Sequence, residues 1–182
     1  MKQISLAIAV MATVVLSSCN NSETSSTMAS DSKDSTGNSM DQQNLEKNRS
    51  MYTAIQKGDS ATIRSMIADD AVDHQSPNGQ EVKGVDSITH MLSDIHNHVK
   101  DMKFDVVADA IKGDYIFAMV DMKGTATDNT MGMPAGSKMD GKTVDVVKMK
   151  DGKMVEHWGF MDWQDVMKMS SQPPMNSAPK KK

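Results

Sequence analysis

Two short stretches of the chain concentrate the side chains that could do acid–base chemistry. One runs Asp69-Asp70-Ala71-Val72-Asp73-His74, and the other runs Glu156-His157-Trp158 and on to Asp162. Histidine changes charge near neutral pH, and a carboxyl group drawn out of water has its pKa raised toward neutrality. Brought into one cavity, such groups can give and take protons without a cofactor, and none is expected. The same aspartates would also serve to cap a helix or close a turn. Other chemistries find less to stand on. Cys19 is the single cysteine, so the chain beyond it holds no disulfide, thiol nucleophile or thiolate-ligated metal. His96 and His98 are two apart, on different sides of a helix, whereas a helical metal pair wants a spacing of four. No phosphate-binding G-x-x-x-x-G-K loop and no serine elbow occurs. Methionine is the compositional oddity, with 19 residues against 3 Phe, 2 Tyr and 2 Trp. Met131-x-Met133 and Met167-x-Met169, with Met119 and Met122, would suit a soft ion such as Cu(I). The alternative is that thioethers fill a core where other chains use rings.

The elements that must position these groups occupy the middle of the 182-residue chain. Met1-Lys2 followed by an apolar run from Ile4 to Leu16 has signal-peptide length, short of the roughly 20 residues of a spanning helix. It ends Leu16-Ser17-Ser18-Cys19, which resembles a bacterial lipobox, so residues 1–18 read as a lipoprotein signal and Cys19 as the lipidated anchor. The anchor places the protein in the cell envelope with the lipid bilayer as a partner. Residues 19–40 are Ser, Thr, Asn and Asp with little that is apolar and read as a disordered tether. Residues 171–182 carry Pro173, Pro174, Pro179 and a closing Lys180-Lys181-Lys182 run and read as a basic tail. A formal net charge of −4 argues against nucleic acid as a partner.

Between 41 and 170 the hydrophobic period changes once. Leu45, Tyr52 and Ile55 share a helix face that Gly58 ends. Asp59 caps a short second helix holding Ile63, Met66 and Ile67. Val85, Ile88, Leu92, Ile95 and Val99 stripe a third helix. The period then falls to two. Met102, Phe104, Val106 and Ala108 alternate, Gly113-Asp114 turns, and Tyr115, Phe117 and Met119 oppose Ile116, Ala118 and Val120 in a strand expected to be covered on both faces. After a loop over 128–141, two strands meet at Asp151-Gly152, and a short helix spans about 164–169. Helices followed by an antiparallel meander predict an α+β domain. In the last strand Glu156, Trp158, Phe160 and Asp162 fall on one face and Val155, His157 and Met161 on the other. Asp162 and His157 therefore cannot both point inward unless Gly159 marks a bulge.

The order of motifs resembles the SnoaL-like, or ester cyclase, branch of the nuclear-transport-factor-like superfamily. The resemblance rests on Asp69-Asp70-x-x-Asp73-His74 before the third helix, Gly124-Thr125, Met131-Gly132-x-Pro134, and Asp151-Gly152-Lys153-x-x-Glu156-His157-Trp158 with Asp162. It implies a cone in which three helices close a bent antiparallel or mixed sheet around an apolar cavity, and it implies a homodimer. Relatives of this branch close rings by cofactor-free aldol chemistry. The resemblance makes Asp162 the first expected general acid or base, with His74 and His157 as further catalytic candidates. Asp73, Trp158, Glu156, Met119 and Phe117 are expected to line the ligand cavity. The leading expectation is a membrane-anchored protein whose cavity binds a small apolar or carbonyl-containing molecule. A cyclase-, isomerase- or hydrolase-like enzyme and a copper-binding envelope protein are the alternatives.

Overall fold

A computed structural model describes residues 35–75 and 79–171, with the side chains of 35–38 left aside. The signal, Cys19, most of the tether and the basic tail lie outside the described residues. The first helix, α1 (Ser35–Lys57), starts inside the segment expected to be a tether. It stops where expected, at Gly58, whose φ of +64° is a left-handed helix end. A side chain there would also strike the ring of His96, so two helices meet at this glycine. Asp59 caps α2 (Ser60–Ser65) by accepting from the Thr62 amide at 3.0 Å.

Ile67 belongs to no helix. It opens β1 (Ile67–Asp73), which with the two-residue β2 (Val82–Lys83) precedes α3 (Val85–His98). Val85 and Ile88 are buried on α3, with Leu92 and Ile95 packed against the same core, while Val99 begins the next strand. Four strands follow: β3 (Val99–Lys112), β4 (Tyr115–Ala126), β5 (Lys138–Lys150) and β6 (Lys153–Met161). Then comes α4 (Trp163–Ser170). They form one six-stranded sheet ordered β2-β1-β6-β5-β4-β3, antiparallel except that β1 runs parallel to β6. The fold class is α+β with a mixed sheet, as the sequence predicts. No helix among the described residues is long and apolar enough to cross a membrane.

Two findings correct the sequence reading of the strands. Ala108 does not continue the inward series of Met102, Phe104 and Val106, because a bulge between Val106 and Ala108 shifts the register. β4 is covered on one face only. Ile116, Ala118 and Val120 are fully buried, whereas Phe117 is 44% and Met119 41% exposed. Ile63, Ile67, Ile88 and Ile116 centre the main core between helices and sheet.

Candidate functional site

The inner face of the sheet is the floor of a cavity of about 540 Å³. Strand alternation turns Thr143, Asp145, Val147 and Met149 of β5 inward, and β6 sets His157 opposite Val147 and Met161 opposite Thr143. Asn48, Met51, Tyr52 and Ile55 of α1 form one wall. Leu92, Ile95 and His98 of α3, Met169 of α4 and the turn holding Met131 and Met133 complete it.

Parallel pairing of β1 with β6 sets Asp73 beside His157, and the His74 amide donates to the His157 carbonyl at 2.9 Å to hold the register. Asp73 is 1% exposed. Its Oδ1 accepts from the Gln75 amide at 2.8 Å, and its Oδ2 lies 3.0 Å from His157 Nδ1. A carboxylate accepts only, so His157 carries its proton on Nδ1 and leaves Nε2 without a partner among the described residues. The imidazole, 17% exposed, lines the cavity. Burial by itself pushes the His157 pKa down. The hydrogen bond to Asp73 and the charges of Asp73 and Asp145 outweigh it and leave the pKa raised.

A second polar group lies on the neighbouring strand. Asp145 Oδ2 accepts from the Tyr52 hydroxyl at 2.9 Å and Oδ1 accepts from the Thr143 hydroxyl at 2.8 Å. Burial, reinforced by Asp145, pushes the Tyr52 pKa up, so the phenol stays a donor. Two hydroxyls thus balance a buried carboxylate within reach of the His157 field.

Of the residues expected from sequence to form the site, only Asp73 and His157 line the cavity. Asp162 is exposed and accepts from the Gln164 amide at 2.7 Å as the cap of α4, which corrects its expected burial. His74 follows Asp73 and therefore turns to the opposite face. There its ring stacks on Trp158, centroids 4.8 Å apart and planes 9° from parallel. Its Nδ1 meets Glu81 at 2.8 Å and its Nε2 meets Glu156 at 3.3 Å, while Glu156 also takes Lys148 at 2.8 Å. Glu156 and Trp158 sit on the face away from His157 because successive residues of a strand alternate. Phe117 and Met119 are on that outer face too. Asp73 pairs across strands with His157 and not with its chain neighbour His74. Asp145, Tyr52 and Thr143 are the site residues the sequence reading missed. Their signal was an aspartate at an inward position of the alternating run Thr143-Val144-Asp145-Val146-Val147.

A second histidine lines the cavity. His98, the last residue of α3, lies between Asp128 at 2.6 Å and Asp94 at 3.0 Å, and its carbonyl accepts from the Thr127 amide at 2.9 Å. The Asp128 bond foremost, with that of Asp94, holds the His98 pKa up. The same bond to His98, with one from the Thr130 amide, holds Asp128 down at about 2. These contacts pin the turn after β4, and with it Thr130 to Met133, across the methionine-lined end of the cavity.

The chain matches the SnoaL-like polyketide cyclase family over residues 45–169. Its structure is similar to that of a candidate SnoaL-like polyketide cyclase from Jannaschia sp. CCS1. The TM-score is 0.63 at 19% identity, covering 74% of this chain and 96% of that one. It is similar to an LEH-like epoxide hydrolase from M. tuberculosis, with a TM-score of 0.59 at 13% identity over 71% of this chain and 90% of that one. An NTF2-like protein of unknown function from Burkholderia pseudomallei gives a TM-score of 0.58 at 18% identity, over 71% and 98%. These identities establish a shared fold. No curated protein matches the chain.

Proposed function

The chain belongs to the SnoaL-like polyketide cyclase family, and from that premise we propose that its cavity takes up an apolar molecule bearing a carbonyl oxygen, which His157 binds and protonates through Nε2. The observation that supports this most is a histidine whose free nitrogen opens on a methionine-lined cavity while its other nitrogen is locked by a fully buried aspartate. A buried ion pair is a poor stabiliser compared with apolar residues of the same volume, so its presence on a cavity wall argues for use.

The chemistry follows from the raised His157 pKa. The protonated imidazole donates from Nε2 to the carbonyl oxygen and takes up charge as it develops there. Asp73 meanwhile stabilises the cation and fixes the ring. Once neutral, the same nitrogen accepts a proton from the carbon beside the carbonyl. Asp145 stays bound to its two hydroxyls and adds a negative field. That sequence suffices for enolisation, the step on which cyclase- and isomerase-like reactions depend. The test uses 2-acetonaphthone labelled with ¹³C at the carbonyl. Bound to the protein, its carbonyl signal moves downfield, and His157→Gln abolishes the movement. An equal movement in the variant removes His157 from the reading.

Two further parts of the proposal rest on the sequence and on surface chemistry. Lipidation at Cys19 would tether the domain to a membrane of the cell envelope, and Cys19→Ser would release it to the soluble fraction. Phe117, Met119, Val144 and Phe160 form neighbouring exposed apolar positions on the outer sheet face, an area suited to burial against a second copy of the chain.

A further inference from the structure

The methionines are not spread evenly through the interior. The core between α2, α3 and the sheet is centred on Ile63, Ile67, Ile88 and Ile116, with Met149 and Met154 its buried methionines. At the other end, under the turn after β4, nearly every large side chain is a thioether. Met133, Met139 and Met169 are buried there with Val99 and Ala126, and Met102, Met122, Met131 and Met161 pack against them. They arrive from four strands, the turn and α4, so no local sequence repeat produces the gathering.

The register explains how the strands bring them together. Met122 lies opposite Gly141, Met139 lies opposite Gly124, and Met161 lies opposite Thr143, so three methionines surround Gly141 on the inner face. Gly141 contributes no side chain. A Cβ there would stand 3.3–3.4 Å from the Asp165 side chain of α4, so the space beside the thioethers is bounded by a carboxylate. Asp165 also pairs with Lys168 at 3.0 Å.

We propose that this end of the cavity is a thioether site for a soft monovalent cation, Cu(I), with ligands drawn from Met122, Met131, Met133, Met139, Met161 and Met169. Neutral sulfur donors select Cu(I) over zinc, magnesium or calcium. Among the described residues no group of three or more His, Cys, Asp or Glu side chains is placed to hold a harder ion. A thioether has no proton to lose, so this affinity would be insensitive to pH, unlike that of imidazole or thiolate sites. Of the pairs visible in the sequence, Met131-x-Met133 enters the site whole. Met119 and Met167 are exposed and stay outside it. The site does not depend on the carbonyl reading of His157, and neither fails with the other.

The experiment takes the purified full-length chain with ¹³C-labelled methionine methyl groups and titrates Ag(I), a soft monovalent stand-in that does not oxidise in air. Cu(I) affinity is measured against the chromophoric chelator bicinchoninate. The expected result is one tight equivalent that moves the cavity methyls and spares those of Met119 and Met167. The triple substitution Met131→Leu, Met133→Leu and Met169→Leu should weaken Cu(I) by more than the roughly 10–100-fold that losing even a supporting partner of a metal ligand costs. Leucine keeps volume and apolarity, and Met133→Leu alone serves if the triple variant melts early. Affinity should be equal at about pH 5.5 and 7.5, where imidazole sites differ. Loss of Cu(I) to the chelator, shifts confined to exposed methionines, or weakening on acidification would each overturn the site.

Discussion

Asp73→Asn is the substitution that most directly separates the Asp73–His157 pair from its surroundings. Asp73 uses two oxygens for two donors, the Gln75 amide at 2.8 Å and His157 Nδ1 at 3.0 Å. Asparagine has the same shape but one acceptor. If its oxygen keeps the Gln75 amide, its NH₂ group faces Nδ1, which must then give up its proton and accept. The imidazole turns to the tautomer with the proton on Nε2, and the cavity loses its free basic nitrogen. Losing a buried bond to a charged acceptor costs about 1.5–3 kcal/mol. For a domain of this size that lowers Tm by about 3–5 °C per kcal/mol. The pH dependence has a definite sign. His157 has a raised pKa when folded, so its contribution is full below the unfolded value of about 6.5 and is lost as pH rises through the folded value. The variant loses this contribution, and its deficit relative to wild type is therefore largest on the acid side. Two-bond ¹H–¹⁵N spectra of the ring read both effects, with Nδ1–H in the wild type and Nε2–H with a lowered titration midpoint in the variant. An unchanged tautomer and midpoint in Asp73→Asn would refute the reasoning.

Tyr52→Phe removes one of the two donors of buried Asp145 and should cost about 1–3 kcal/mol in denaturant unfolding, against near zero for an exposed tyrosine. Asp162→Ala should lower stability by about 1 kcal/mol through the lost cap of α4 and leave ketone binding unchanged. A change in binding there would return Asp162 to the site. If the outer sheet face is a dimer interface, sedimentation should give twice the chain mass for the wild type and the chain mass for Phe117→Lys with Phe160→Lys. Equal masses would leave that face without a partner copy.

What the sequence made legible followed burial period. The stripe from Val85 to Ile95, the Asp59 cap and the Asp151-Gly152 hairpin each express a local rule, and each is where that rule puts it. β1 escaped because Ile67 to Asp73 carries three aspartates and shifts register against β6, so it shows no clean alternation. With β1 unseen, no partner on another strand could be assigned to Asp73. The partner that matters, His157, lies 84 positions away and is reached through a parallel pairing that no local pattern encodes. Alternation in β6 was readable, and it correctly set His157 on the face opposite Glu156 and Trp158. It did not say which face was inside. That depends on α1 and α3 covering one side of the sheet and leaving Phe117, Met119 and Phe160 uncovered on the other. The methionine count was visible at once, but the gathering of seven of them in one cluster is a property of the packing.

His157 is the group proposed to work on a carbonyl compound in the cavity. Deuterium uptake from D₂O into the acetyl methyl group of 2-acetonaphthone measures that directly, because the methyl exchanges only through the enol. The protein is expected to speed uptake, His157→Gln to return it to the rate in buffer, and Asp162→Ala to keep the wild-type rate. Uptake that is as fast in His157→Gln as in the wild type would contradict that role.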